Sequence, residues 1–111
     1  SLLLKNSYKE TQKMNINFNK NDGILNIALE GRLDTTTAPE FEVVVDETIP
    51  EADDIILNFE KLDYISSAGL RVIMKAQKAM SQKKGMKLIN VNDDIMEVFD
   101  ITGFVDILTI E

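Results

Sequence analysis

Two adjacent serines, Ser66 and Ser67, stand between an apolar approach, Tyr64-Ile65, and a run that turns helical after Ala68-Gly69-Leu70. A hydroxyl there could act as a nucleophile. Ile65-Ser66-Ser67-Ala68-Gly69 half-matches the strand–turn–helix elbow of serine hydrolases, but its first glycine is missing. The chain has no histidine, so a Ser-His-Asp relay is impossible. A Ser-x-x-Lys pair fails too, because Leu70 follows Ser67 at that spacing and Gly69 follows Ser66. No glycine-rich phosphate loop and no carboxylate cluster of ligating spacing is present. Asp93-Asp94 reads as acidic charge at a helix start rather than as a ligand pair. With no cysteine either, thiolate metal sites and disulfides are excluded. The expectation is a protein without catalytic residues, metal or cofactor.

What remains is a serine that another protein can modify or read. Ser67 is expected as the N-cap of the helix, its hydroxyl accepting from a first-turn N–H. The free amides and the positive end of the helix dipole lie at the same place, and both favour an added phosphate. Residues 66–69 are small and leave the hydroxyl unshielded. A plain capping role for Ser67 is the competing account, and Ser66 is the second choice of acceptor. Gly69 is locally unfavourable in a helix, by about 1 kcal/mol against alanine. Close approach of a partner backbone or tight packing on the sheet would each explain it. Arg71, Lys75, Lys78 and Gln82 form a polar stripe, either a solvated face or part of a partner surface.

The elements that must position this stretch follow from periodicity. Met14, Ile16 and Phe18 alternate with Asn15, Asn17 and Asn19 as in a half-buried strand, and the turn signal Asn21-Asp22-Gly23 leads to a second strand over 24–30. After Gly31-Arg32-Leu33-Asp34, Thr37 and Glu40 stand in capping-box spacing for a helix with Phe41, Val44, Val45 and Thr48 inward, ended by Pro50. A short strand is expected over 55–59, then a turn over 60–63, then the helix from Ala68 to about Lys83, with Lys83 and Lys84 at its negative end and Gly85 as its stop. A strand over 86–91, a short helix capped by Asn92 or Asp93 and ended by Gly103, and a last strand over 105–110 complete the chain. The fold class is therefore α/β, in the order β-β-α-β-α-β-α-β, with a mixed, mostly parallel sheet and helices mainly on one face. Loops leaving the C-terminal ends of parallel strands are the usual binding places, and Ser67 and Asp34 each lie on one.

Composition narrows the partners. At 111 residues and 44% hydrophobic the chain makes one domain with a real core. A net charge of −7 disfavours nucleic acid and anionic membrane surfaces. No run is apolar enough to span a bilayer, and Leu2-Leu3-Leu4 is too short for a signal-peptide core, so a soluble, cytoplasmic protein is expected. Residues 1–13 are read as an N-terminal arm of their own, and 14–111 as the domain.

Two segments carry a resemblance: Gly31-Arg32-Leu33-Asp34 ahead of a Thr/Ala/Pro helix start, and Asn58-Phe59 followed by Leu62-Asp63-Tyr64-Ile65-Ser66-Ser67-Ala68-Gly69-Leu70. In this order the chain resembles the STAS domain of bacterial anti-sigma factor antagonists over about residues 14–110. The resemblance implies that the phosphorylated serine falls on Ser67 and the family's loop acid on Asp34. It implies that the unmodified protein binds a GHKL-type kinase anti-sigma factor and frees a sigma factor, that the kinase phosphorylates it with ATP, and that a PP2C-type phosphatase reverses this. The partner surface would comprise Asp34, Thr35, Ser66, Ser67, Ala68, Gly69, Leu70 and Arg71. Sporulation-type members carry an acid where this chain has Ser66 and a small residue where it has Arg71, and many continue into a further C-terminal helix. Stand-alone domains of the family also dock on the ATPase of lipid-transport complexes, which is the alternative reading. A nucleotide-binding domain, the third, has no phosphate loop to support it.

Overall fold

The computed structural model describes residues 14–111; the arm expected over 1–13 lies outside the described residues. The hairpin pairs β1 (Asn15–Asn21) with β2 (Ile24–Leu33) in antiparallel register, from Asn15 opposite Glu30 to Asn21 opposite Ile24. Asp22 and Gly23 make the two-residue connection with φ of 53° and 82°, the positive pair that a tight hairpin turn requires. Helix α1 (Ala38–Thr48) and a short 3₁₀ turn carry the chain to β3 (Asp54–Ile65). Helix α2 (Ser67–Met80) leads to β4 (Gly85–Ile89), and α3 (Asp93–Thr102) leads to β5 (Thr109–Ile110).

The spatial order is β1-β2-β3-β4-β5, with every pair after the first parallel. Each crossover adds its strand on the same side of the last one. Right-handed connections of that kind place all their helices on one face. The buried residues agree: Leu25, Ile27, Leu29 and Leu33 of β2, Ile55, Leu57 and Phe59 of β3, and Met86 and Leu88 of β4 point to that face. There they meet Phe41 and Val45 of α1, Val72, Ile73, Ala76 and Met80 of α2, and Ile95 and Phe99 of α3. Among the described residues the opposite face carries no helix, and Asn17, Asn19, Asn26, Ala28, Ile56, Asn58 and Ile89 line an open groove across it.

Strand β3 differs from expectation. It runs unbroken to Ile65, through the residues 60–63 expected as a turn. Two register shifts against β2 explain this. Ala28 to Glu30 spans two steps where Asn58 to Lys61 spans three, and Gly31 to Arg32 spans one where Leu62 to Tyr64 spans two. Each bulge inserts a residue, so Phe59, Leu62 and Ile65 all face the core at a spacing of three. The Asn58 side chain serves the first bulge, accepting from the Glu60 N–H at 3.0 Å.

Other boundaries move as well: β2, expected to end at residue 30, runs on to Leu33. Helix α2 stops at Met80, and Lys83 reaches α1's connection instead, donating to the carbonyls of Ile49 at 2.6 Å and Ala52 at 2.7 Å. Strand β4 ends at Ile89, before Val91. The expected strand over 105–110 shrinks to Thr109–Ile110, because Gly103 at φ 82° turns the chain into a 3₁₀ turn over Phe104–Asp106. Phe104 then stacks on Phe99 with centroids 6.4 Å apart. Of the two caps considered for α3, Asn92 is the one formed, accepting from Ile95 N–H at 2.8 Å.

Candidate functional site

The parallel pairing of β2 with β3 sets Leu33 beside Ile65 and carries both strands to one end of the sheet. The Ser66 N–H then donates to the Leu33 carbonyl at 2.9 Å. The loop holding Asp34 and the start of α2 are thus neighbours.

On the β2 side, Asp34 is tied down by backbone. One carboxylate oxygen, Oδ1, accepts from Thr36 N–H at 3.0 Å and Thr37 N–H at 3.1 Å. In return the Thr37 hydroxyl accepts from Asp34 N–H at 2.9 Å and donates to the Arg32 carbonyl at 2.7 Å. Ala38 N–H donates to the Asp34 carbonyl at 2.8 Å, so the helical path starts at Asp34. The reciprocal cap is therefore Asp34 with Thr37, three residues upstream of the expected Thr37–Glu40 box; Thr37 makes no side-chain cap to α1. Thr37 is 2% exposed, and its hydroxyl is consumed by the loop. Thr35 lies exposed at the tip.

On the β3 side the helix begins one residue earlier than expected. Ser66 is the N-cap and Ser67 the first helical residue. Ser66 does not cap through its side chain: its Oγ is buried with no hydrogen-bond partner, while Ser67 is exposed. Among the described residues no side chain caps α2, and the amides of Ser67, Ala68 and Gly69, in the first turn, have no intrahelical acceptor; the first backbone bond is Leu70 N–H to the Ser66 carbonyl at 3.0 Å.

Of the residues assigned to a partner surface, Asp34, Thr35, Ser67, Ala68 and Arg71 reach solvent wholly or in part, whereas Gly69 and Leu70 are buried and support the surface from below. A Cβ on Gly69 would sit 2.6 Å from Leu33 Cγ and 3.1 Å from Ile65 Cγ1. Packing of α2 on the sheet accounts for this glycine, with no partner backbone needed. Within the basic stripe, Lys75 turns to α1, 2.8 Å from Asp46 and 3.0 Å from Glu42. That lysine belongs to the helix–helix contact; Arg71 and Lys78 remain exposed.

Sequence reasoning missed a pair beside Asp34. The Arg32 guanidinium lies 4.1 Å from the centroid of the Tyr64 ring, and its Nε is 3.7 Å from Asp34 Oδ2. The two residues are register partners on β2 and β3, past the second bulge. Only the bulge count brings them together, and single-strand periodicity does not reveal it. Among the described residues no group of three or more Asp or Glu side chains could hold a metal ion, and no helix is long and apolar enough to cross a membrane.

Comparison with known proteins agrees with this architecture. The STAS domain family model matches residues 4–111. The anti-sigma-B factor antagonist of Staphylococcus aureus is 32% identical over 97 residues, covering 86% of this chain and 90% of that protein. An anti-sigma factor antagonist from Mycobacterium paratuberculosis superposes with a TM-score of 0.80 at 14% identity, over 87% of this chain and 84% of the other. The Bacillus cell fate determinant SpoIIAA, solved in its phosphorylated form, superposes with a TM-score of 0.70 at 20% identity, over 87% and 91%. With its five-stranded sheet, one-sided helices and matching sequence, the chain belongs to the STAS domain family.

Proposed function

We propose that this chain is an anti-sigma factor antagonist that binds a GHKL-type kinase anti-sigma factor through the surface around Ser67 and is released by phosphorylation of that serine. The observation that carries the reading is the contrast between the two hydroxyls: Ser67 is exposed at an uncapped helix start, and the Ser66 Oγ is enclosed. The names of its sequence relatives and the phosphorylated state of a SpoIIAA structure with the same fold support it.

The physics of the switch follows. Phosphorylation adds about −1.5 to −2 charge at neutral pH. At Ser67 that charge meets free amides and the positive end of the α2 dipole, so the fold accommodates it. Against a partner seated on Ser67, Ala68, Arg71, Asp34 and Thr35 it brings bulk, desolvation cost and repulsion from acids, Asp34 included. Affinity falls while the fold stays. The kinase factor released by phosphorylation again holds its sigma factor; a PP2C-type phosphatase restores binding and frees sigma, so the output is sigma-dependent transcription in the cytoplasm.

The test is incubation with candidate anti-sigma kinases and ATP, mass-spectrometric mapping of the modified residue, and partner titration before and after. Modification at Ser67 with at least a tenfold loss of affinity and an unchanged circular dichroism spectrum is expected. Modification elsewhere, or full binding by the Ser67-phosphorylated chain, overturns the reading. So does co-purification with an ABC-type ATPase in place of a kinase.

A further inference from the structure

Strand β1 forms one edge of the sheet, and among the described residues nothing pairs with its outer side. It is seven residues long, and six of the seven are exposed. It contains no proline. Proteins usually blunt such an edge with charge, bulges or cover. Here the only charged residue on the strand is Lys20, and it is turned away: its Nζ donates to the Glu51 carbonyl at 3.3 Å. Phe18, on the helix-bearing side opposite Ile27, is left 50% exposed.

The sequence of this edge is close to its own mirror. Asn15-Ile16-Asn17-Phe18-Asn19-Lys20-Asn21 reads as alternating asparagines about a central phenylalanine. A two-fold axis through Phe18 would set Phe18 against its copy, Asn17 against Asn19, and Asn15 against Asn21. That arrangement gives an aromatic cross-strand pair on one face and amide–amide pairs on the other, both favourable in antiparallel sheets. The asparagine row would continue the face opposite α1, α2 and α3 without a break. No acid lies on the strand, so the net charge of −7 is not concentrated at the seam.

We propose that β1 pairs with the β1 of a second copy of this chain, antiparallel and centred on Phe18, joining two five-stranded sheets into one of ten strands with α1, α2 and α3 of both copies on one side. The contact satisfies the two-fold rule that one patch serves both partners. The Ser67 surface lies at the C-terminal ends of β2 and β3 and remains uncovered, so the dimer presents two such surfaces.

The experiment uses the full chain, with light scattering and amide exchange measured across concentration. Because the contact is small, the mass is expected to rise from 12.5 kDa toward twice that between about 10 µM and 1 mM. β1 amides should gain protection over the same range. Phe18→Lys, which sets two cations face to face, should raise the dimer Kd at least tenfold while leaving the circular dichroism spectrum unchanged. The chain has no cysteine, so single cysteines report register cleanly. Phe18→Cys should cross-link to itself with a short bis-maleimide, and Asn21→Cys should not, its copy lying about 20 Å away along the strand. A monomer at 1 mM overturns the proposal, as does a dimer that Phe18→Lys leaves intact or that cross-links equally at both positions. A monomer with β1 amides protected at every concentration overturns it in favour of cover by the chain's own segment.

Discussion

Asp34 and Thr37 cap each other: the carboxylate of one accepts the other's N–H at 3.1 Å, and the hydroxyl accepts back at 2.9 Å. The acid that a partner would meet beside Ser67 is therefore also the residue that holds the turn leading into α1. Its structural and recognition roles are separable by substitution. Asp34→Ala should cost about 1–2 kcal/mol of stability, the worth of a helix cap, and Asp34→Asn less than half of that, since an amide oxygen still accepts both N–H groups. Urea unfolding of the two variants checks this, and equal losses would show that charge rather than geometry holds the loop.

Ser66→Ala should leave stability unchanged or raise it by up to about 1 kcal/mol. The substitution removes a buried hydroxyl that has no hydrogen-bond partner and therefore only a desolvation cost. Phosphorylation at residue 67 should proceed in this variant and vanish in Ser67→Ala. A thermal melt and a kinase assay on both decide it.

Gly69→Ala should destabilise by about 1–3 kcal/mol, even though alanine is the better helix former. The added methyl meets Leu33 at 2.6–2.9 Å, and Leu33 is fully buried. Adding Leu33→Val should recover part of the loss, and a double-mutant cycle measures the coupling.

Lys83→Met should cost about 1–3 kcal/mol, because an ammonium shared by the Ile49 and Ala52 carbonyls is replaced by a group that can donate to neither. The loss should appear as faster hydrogen exchange over residues 48–53.

Lys75 is held above the ordinary lysine value of 10.5 by its hydrogen bond to Asp46 and then that to Glu42. A raised value means the contribution is complete below the unfolded value and fades as pH rises through the folded one. Lys75→Gln should therefore lower the melting temperature slightly at pH 7. The difference should shrink in 1 M salt and again above the lysine range, because the pair is exposed and screened.

The β/α order was legible because each element carries its own period and the crossover rule leaves one arrangement. Gly103 was found as a helix end, and Asn92 as one of two adjacent caps, because cap and left-handed stop are local chemistry. The misses at the site share a cause: each was decided by contacts outside the element's own period. Phe59, Leu62 and Ile65 at a spacing of three look unlike a strand until β2 is beside them. Thr37–Glu40 and Asp34–Thr37 have the same spacing, and only the Arg32 carbonyl, which takes the Thr37 hydroxyl, selects between them. Ser66 and Ser67 look alike on paper. Which oxygen faces solvent depends on where the Leu33 carbonyl catches the chain. The pairing of Arg32 with Tyr64 needs the bulge count, which no single strand contains.

The two extra residues in β3 are a reserve of length at its far end. Losing either Glu60 or Lys61 would leave plain alternation, with Phe59 and Leu62 still turned inward against β2. Side chains beyond would keep their faces, and the Leu33 carbonyl would still catch the chain at Ser66. Such a deletion removes a local bend and not the inward set, so this segment should absorb a one-residue loss that would turn an unbulged strand inside out.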